Sequence, residues 1–226
     1  MPKRIIGVTE RLVAAAESEF LENGYERASI RTIAEKAETS PRAVYTRFRN
    51  KEALFAAVAE PVYSAFMQLY HEERAAYWKR AENRDFSVEP EDIYLRYLRF
   101  AYEHRKAFLL ILTCSQGTRY QDLPGRLARE DIEGVREHVP QYLGEAGAAA
   151  DDEAMKLFVE NITIDFYNAL FVPVVKGLPF ETACAYAAKL TRFYSQGILD
   201  SCQDSPAQKQ FSMLSDRGKI REGAKE

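Results

Sequence analysis

SPRAVYTRFRNKEALF, residues 40–55, carries four basic residues and a tyrosine, with no acid before Glu52. A helix that only packs on a core has no use for that balance. Ser40 is a natural helix N-cap, and Pro41 falls at the first helical position, where a missing N–H costs nothing. Val44 and Phe48 lie one helical turn apart and are expected to pack inward. The outward positions near the helix start are Pro41, Arg42, Ala43 and Thr46. They are small or able to reach as donors, as a helix entering a duplex major groove about 12 Å wide requires.

Upstream, Val8, Leu12, Ala16 and Phe20 recur at helical spacing, and Gly24 is expected to stop that helix. Ser29 caps a second helix whose buried side is Ile30, Ile33, Ala34 and Ala37. The turn to the third helix lies at Glu38-Thr39, which is helix-turn-helix spacing. Arg42 is the long donor placed to reach a guanine edge, a contact that discriminates by about 1–3 kcal/mol. Thr39, Tyr45, Arg47 and Lys51 flank it and suit phosphate oxygens. Ser29 and Lys51 stand at helix starts, where free N–H groups favour an anion.

RASIRTIAEKAETSPRAVYTRFRNKEALFAAV, residues 27–59, resembles the DNA-binding module of TetR-type transcriptional regulators. The features that carry the resemblance are the Ser29 cap, Ile33-Ala34, Ala37, Ser40, Val44-Tyr45, Phe48 and Lys51-Glu52-Ala53-Leu54. It implies that Tyr45 and Lys51 hold phosphates, and that Pro41, Arg42, Ala43, Thr46 and Arg47 face bases or backbone. Two positions depart from the family pattern. Glu38 stands where the family usually has glycine, and Thr46-Arg47 where it commonly has an aromatic or histidine pair. A non-glycine residue in a left-handed turn costs on the order of 1 kcal/mol.

The rest of the chain also reads as helix, and no segment alternates as a strand. From Lys51, Phe55, Val58, Val62, Phe66 and Tyr70 hold one face, with Pro61 expected to kink the helix. Residues 82–92 form a polar connection. Helices are expected over 91–105, 106–116, 127–143, 153–176 and 180–200, with breaks at Gly117, Pro124-Gly125 and Gly177-Pro179 and a loop over 144–152. The expected fold is all-α, with about nine helices: a helix-turn-helix DNA-binding domain over 1–50, a helical effector-binding and dimerisation domain over 51–202, and a polar tail over 203–226.

Two short helices on one groove give weak specificity, so a dimer on two half-sites is expected. The best candidates to hold it are the last two long helices, with Phe158, Ile162, Phe166, Leu170 and Val174 on one and Ala183, Ala187, Leu190, Phe193, Tyr194 and Ile198 on the other. The resemblance implies a four-helix dimer interface; the alternative is core within one subunit. Tyr63, Phe66, Met67, Tyr70, Tyr94, Tyr97, Phe100, Phe108 and Tyr120 either line an apolar effector cavity or form plain core. Asn161, Asp165 and Asn168 make a polar stripe that faces either that pocket, with Asp165 as a receptor, or solvent and the dimer interface. SQGTRYQDL, residues 115–123, is a helix connection expected near the DNA-binding module, either passing ligand-driven motion or purely structural.

A net charge of −3 excludes a uniformly basic coat and leaves room for a local basic patch. FLLILTC (108–114) and ALFVPVV (169–175) are shorter than the roughly 20 residues that span a bilayer, and MPKRIIG lacks a signal-peptide core. Cys114, Cys184 and Cys202 have neither metal nor redox spacing and fit reduced thiols in a cytoplasm. His71, His104 and His138 are isolated, and no nucleophile elbow, phosphate loop or zinc-protease motif is present. The sequence therefore points away from an enzyme and calls for no cofactor and no metal. The expected partners are a double-stranded palindromic operator, a second copy of the chain and a small-molecule effector, with repression the expected sign. The alternative is a helical DNA-binding protein of architectural type, or one controlled by a protein partner, without a ligand.

Overall fold

A computed structural model describes residues 7–83, 90–143 and 153–201. These residues form helices and turns, with no strand among them. In chain order the helices are α1 (Val8–Arg27), α2 (Ile30–Lys36), α3 (Pro41–Arg47), α4 (Lys51–Glu82), α5 (Pro90–Glu103), α6 (Arg105–Thr113), α7 (Leu123–Leu143), α8 (Glu153–Leu170), α9 (Val172–Lys176) and α10 (Phe180–Ser201). Counting α8 and α9 as one interrupted helix gives the nine expected. The interruption is at Phe171; Pro173 cannot donate to the ladder and falls in the first turn of the shorter helix.

Chain signals account for most helix ends. Gly24 takes φ 71, ψ 165 and ends the regular part of α1. Ser29, Ser40 and Asn50 cap α2, α3 and α4 by accepting from the N–H of Thr32, Ala43 and Ala53. Two expected breaks fall differently. Pro124-Gly125 does not delay α7, which starts at Leu123: proline in a first turn gives up only an N–H that has no partner there. The 106–116 helix ends at Thr113, where Ser115 Oγ bonds back to the Ile111 carbonyl and Gly117 takes φ 82. Pro61 lies inside α4, which runs on through it to Glu82, with the proline ring exposed.

The described residues fall into two units. The first holds the chain up to Leu123 together with Phe171–Tyr186. In it α1 packs on α2, α4 and α6, α2 packs on α3, and α6 packs on α4, α5 and α9. Its core is aromatic. Phe66 meets the rings of Tyr97, Phe100, Phe108 and Phe171 at centroid distances of 5.0–6.0 Å. The second unit holds Pro124–Leu170 and the chain from Ala187. Within it the Tyr167 hydroxyl donates to Asp131, Arg136 pairs with Glu160 at 2.5 Å, and Phe166 packs edge-on against Tyr194 at 5.3 Å. Residues 84–89 of the polar connection, the 144–152 loop, Cys202 and the 203–226 tail lie outside the described residues, as does the Ile198 side chain.

Lys156–Lys176 is long and apolar enough to pass for a membrane span by composition. The break at Phe171 and the exposed Asn161, Asp165 and Asn168 interrupt that apolar stretch, and composition alone is weak evidence of a span.

Candidate nucleic-acid interface

The helix-turn-helix is assembled by short-range bonds. The α2–α3 turn is a Schellman closure: Thr39 N–H reaches back to the Ala34 carbonyl at 2.9 Å and Glu38 N–H to the Glu35 carbonyl at 3.0 Å. Glu38 occupies the left-handed position of that motif with φ 52. The turn seats Ser40 as the cap of α3, where its Oγ accepts from Ala43 N–H at 3.3 Å. Val44 is fully buried and Phe48 half-buried, so the inward face of α3 is as expected.

A buried carboxylate organises the scaffold behind α3. Glu19 is 3 % exposed; its Oε1 accepts from Ser29 N–H at 3.2 Å and Asn23 Nδ2 at 3.1 Å, and its Oε2 meets Lys36 at 3.0 Å. Lys36 also pairs with Glu22, which holds the Glu22 carboxyl below its ordinary value and Lys36 above its own. Sequence reasoning missed Glu19, and the only signal was an acid one residue before Phe20 on an apolar face.

The outward face of α3 presents Pro41, Arg42, Tyr45 and Thr46, all exposed, with Ala43 half-buried between them. Tyr45 is 57 % exposed, unusual for so large a ring. Other candidates are partly engaged by the protein. The Thr46 hydroxyl donates to the Arg42 carbonyl at 2.8 Å, and Arg47 Nη1 donates to the Ala43 carbonyl at 3.1 Å. Lys51 Nζ donates to the carbonyls of Glu26 and Ala28. Thr39 and Ser29 are half-buried, and Ser40 is exposed. Of the ten sequence-named positions, Arg42 and Tyr45 are exposed, while Thr46, Arg47 and Lys51 donate to backbone carbonyls.

Residues 12–58 match the model of the bacterial regulatory proteins of the tetR family. Over these residues the chain is similar to the DNA-binding module of that family. No curated protein matches it. Two solved structures are similar: a TetR-like transcriptional regulator from a Rhodococcus species (21% identity, TM-score 0.46, covering 84% of this chain and 96% of that one), and a TetR-family regulator from Streptomyces coelicolor (18% identity, TM-score 0.34, covering 86% and 99%).

The remaining sequence-named residues divide between the units. Tyr63, Phe66, Met67, Tyr70, Tyr97 and Tyr120 are buried, and Phe100 half-buried, in the first unit, where Tyr63 meets Tyr120 and Phe66 and Tyr70 meet Tyr97. Asp165 and Asn168 are exposed on α8 in the second. Phe166 and Ala187 are buried there, Phe158, Ile162, Leu190 and Tyr194 half-buried, while Ala183 is buried in the first unit. An open groove of about 680 Å³, unforeseen from sequence, runs along α7 and α8 between Arg129, Ile132, Arg136, Glu160 and Ile164.

Proposed function

We propose that the chain is a repressor that binds a palindromic operator as a homodimer and is released by a small-molecule effector. The observation that carries the DNA-binding half is the capped α3, which holds exposed Arg42 and Tyr45 on a rigid, closed turn. Arg42 is assigned to a guanine edge, and Thr39, Ser40, Tyr45 and Arg47 to the backbone on either side. The closed turn preorganises the backbone of α3, while the exposed Arg42 side chain still gives up rotamer freedom on binding.

The dimer is assigned to α8 and α10. Leu157 and Phe193 are 61 % and 70 % exposed there, Phe193 beside Tyr194, which packs on Phe166. Asp165 and Asn168 belong in this proposal to the rim of that surface. The effector is assigned to the aromatic cluster of the first unit, Tyr63, Phe66, Met67, Tyr70, Tyr97, Phe100 and Tyr120. An apolar or aromatic molecule that parts these rings would favour a state in which the two α3 helices no longer match the half-site spacing. The domain limits of 1–50 and 51–202 and a cytoplasmic location go with this proposal.

The test is a binding assay on promoter fragments at low salt, with wild type, Arg42→Ala and Tyr45→Phe. Wild type binds and both variants bind more weakly if the assignment holds. A wild type that ignores every fragment, or two variants indistinguishable from it, removes the proposal. Addition of a metabolite extract that leaves the complex intact removes the effector part alone.

A further inference from the structure

We propose that Glu19 is a positioning residue for operator binding, whose buried carboxylate ties both ends of α2 to α1 and so sets where α3 stands on the duplex. Glu19 touches no DNA itself: it is 3 % exposed, on the α1 face that buries Leu12, Ala16 and Phe20. This inference rests on the operator-binding proposal above.

One carboxylate reaches both ends of α2. That helix runs for 7 residues between its cap Ser29 and its last residue Lys36. Glu19 Oε1 accepts from the Ser29 backbone N–H at 3.2 Å and from Asn23 Nδ2 at 3.1 Å, while Oε2 faces Lys36 Nζ at 3.0 Å. Glu22 pairs with the same ammonium at 2.9 Å and keeps it over α1. Arg11, also on α1, donates to the Ala37 carbonyl at 3.2 Å and adds a tie at the far end. The seat of α3 depends on these bonds. It packs chiefly on α2, and the closed turn at Glu38 and Thr39 passes the position of α2 on to it. A shift of α2 along α1 therefore carries Arg42 and Tyr45 with it.

Stability does not account for this carboxylate. Withdrawing a charge from water is costly, and exchanging a buried ion pair for an apolar side chain of similar volume is often neutral or stabilising. A leucine in that place would fill the apolar face of α1 without that cost. What it would not supply is direction. Apolar contact is non-directional, so it permits α2 to slide or turn. A hydrogen bond holds its donor along a preferred line, and Glu19 does so at the first residue of the α2 cap and at the last residue of the helix. The carboxylate therefore contributes a defined register of α2 rather than added stability.

Positioning and mere structural support differ in how affinity follows stability. The probe is a duplex selected by the wild-type protein from a random-sequence pool, titrated from roughly 50 to 200 mM salt. Thermal midpoint, affinity per folded molecule and the slope of log K against log salt are measured for wild type, Glu19→Leu and Glu19→Gln. Glu19→Leu removes the acceptors and the charge but keeps the bulk. It is expected to melt within about 2–4 °C of wild type, or above it. Its affinity is expected to fall about tenfold at every salt concentration, the size of one misplaced guanine contact. The slope stays unchanged, because no phosphate contact is lost. Glu19→Gln keeps an oxygen for the Ser29 N–H and loses the charge opposite Lys36, so it recovers part of the affinity. Wild-type affinity per folded molecule in Glu19→Leu overturns the assignment, as does a slope reduced by about 0.9 per protomer. Should Glu19→Leu fail to fold, Glu19→Gln decides: weaker binding per folded molecule supports the assignment and wild-type binding overturns it. A wild type that selects no duplex overturns the operator reading and this assignment with it, whereas variants that bind as wild type does leave that reading standing.

Discussion

The Tyr120 hydroxyl donates a 2.5 Å hydrogen bond to the Glu60 carboxylate, joining the α6–α7 connection to α4. Ser64 and Arg119 donate to the same carboxylate. The Ser64 bond, then the Tyr120 bond, hold Glu60 below its ordinary value of 4.5. Burial pushes the Tyr120 phenol up to about 12, so it remains a donor throughout neutral pH. Behind Tyr120 the rings run on to Phe55 at 5.7 Å and from there to Phe20 at 5.0 Å, within α1.

The sign of the pH dependence follows from the lowered Glu60 value. Its contribution to stability is complete above about 4.5 and is lost as pH falls through the lower folded-state value. Glu60→Gln is therefore expected to be less stable than wild type at pH 7, with the gap closing as the solution is acidified below that range. Thermal melts of both proteins at a series of pH values check this. A constant gap down to the acid limit would show that the carboxylate charge contributes nothing. Tyr120→Phe, which removes a hydrogen bond to a charged group, is expected to cost about 1.5–3 kcal/mol at pH 7.

Glu38 sits at φ 52 in the Schellman turn, a conformation that glycine adopts freely and other L-residues resist. Glu38→Gly is expected to stabilise the protein by up to about 1 kcal/mol, part of the gain being offset by the greater freedom of glycine in the unfolded chain. Glu38→Val is expected to destabilise it, because a β-branched side chain tolerates the left-handed region least. Chemical denaturation of the three proteins decides the order. Glycine and valine variants of equal stability would remove the strain argument.

The helix caps differ in geometry, and their variants should differ in the same order. Asn50 accepts from Ala53 N–H at 2.7 Å, while Ser40 accepts from Ala43 N–H at 3.3 Å. Asn50→Ala is expected to cost about 1 kcal/mol or more, and Ser40→Ala less. Equilibrium unfolding gives both values, and the reverse order would mean that the longer bond carries the greater weight.

What the sequence disclosed was local. Ser29, Ser40 and Pro41 announce the starts of α2 and α3, and Val44 announces the inward face, because capping and helical periodicity act within four residues. Asn50 carried the same capping signal one residue before Lys51. Pro124 was misread as a break because a proline has opposite consequences in a first turn and in a helix interior. Glu19 was beyond reach for another reason. An acid reads as solvated until its partners are known, and those partners, Asn23, Ser29 and Lys36, lie up to 17 residues away. The tetR-family module was legible from its motif, whereas the groove along α7 and α8 depends on how two helices meet and has no local signature.

The proposed dimer makes Phe193 the side chain to change. It is 70 % exposed, yet its neighbour Tyr194, 5.5 Å away ring to ring, is packed on Phe166. An aromatic ring left in water beside a packed one is the arrangement of an anchor awaiting a partner surface. Phe193→Asp is expected to weaken self-association by about 2 kcal/mol or more, roughly a 30-fold rise in the dimer dissociation constant. Removing an exposed ring disturbs little core, so the far-ultraviolet spectrum should be unchanged. Val175, 45 % exposed on α9 and in the other unit, supplies the control, and Val175→Asp should associate as wild type does. Sedimentation equilibrium over a range of concentrations measures all three. Should Phe193→Asp dimerise as tightly as wild type, the surface around Tyr194 is not what joins two copies, and α8 and α10 lose their assigned role.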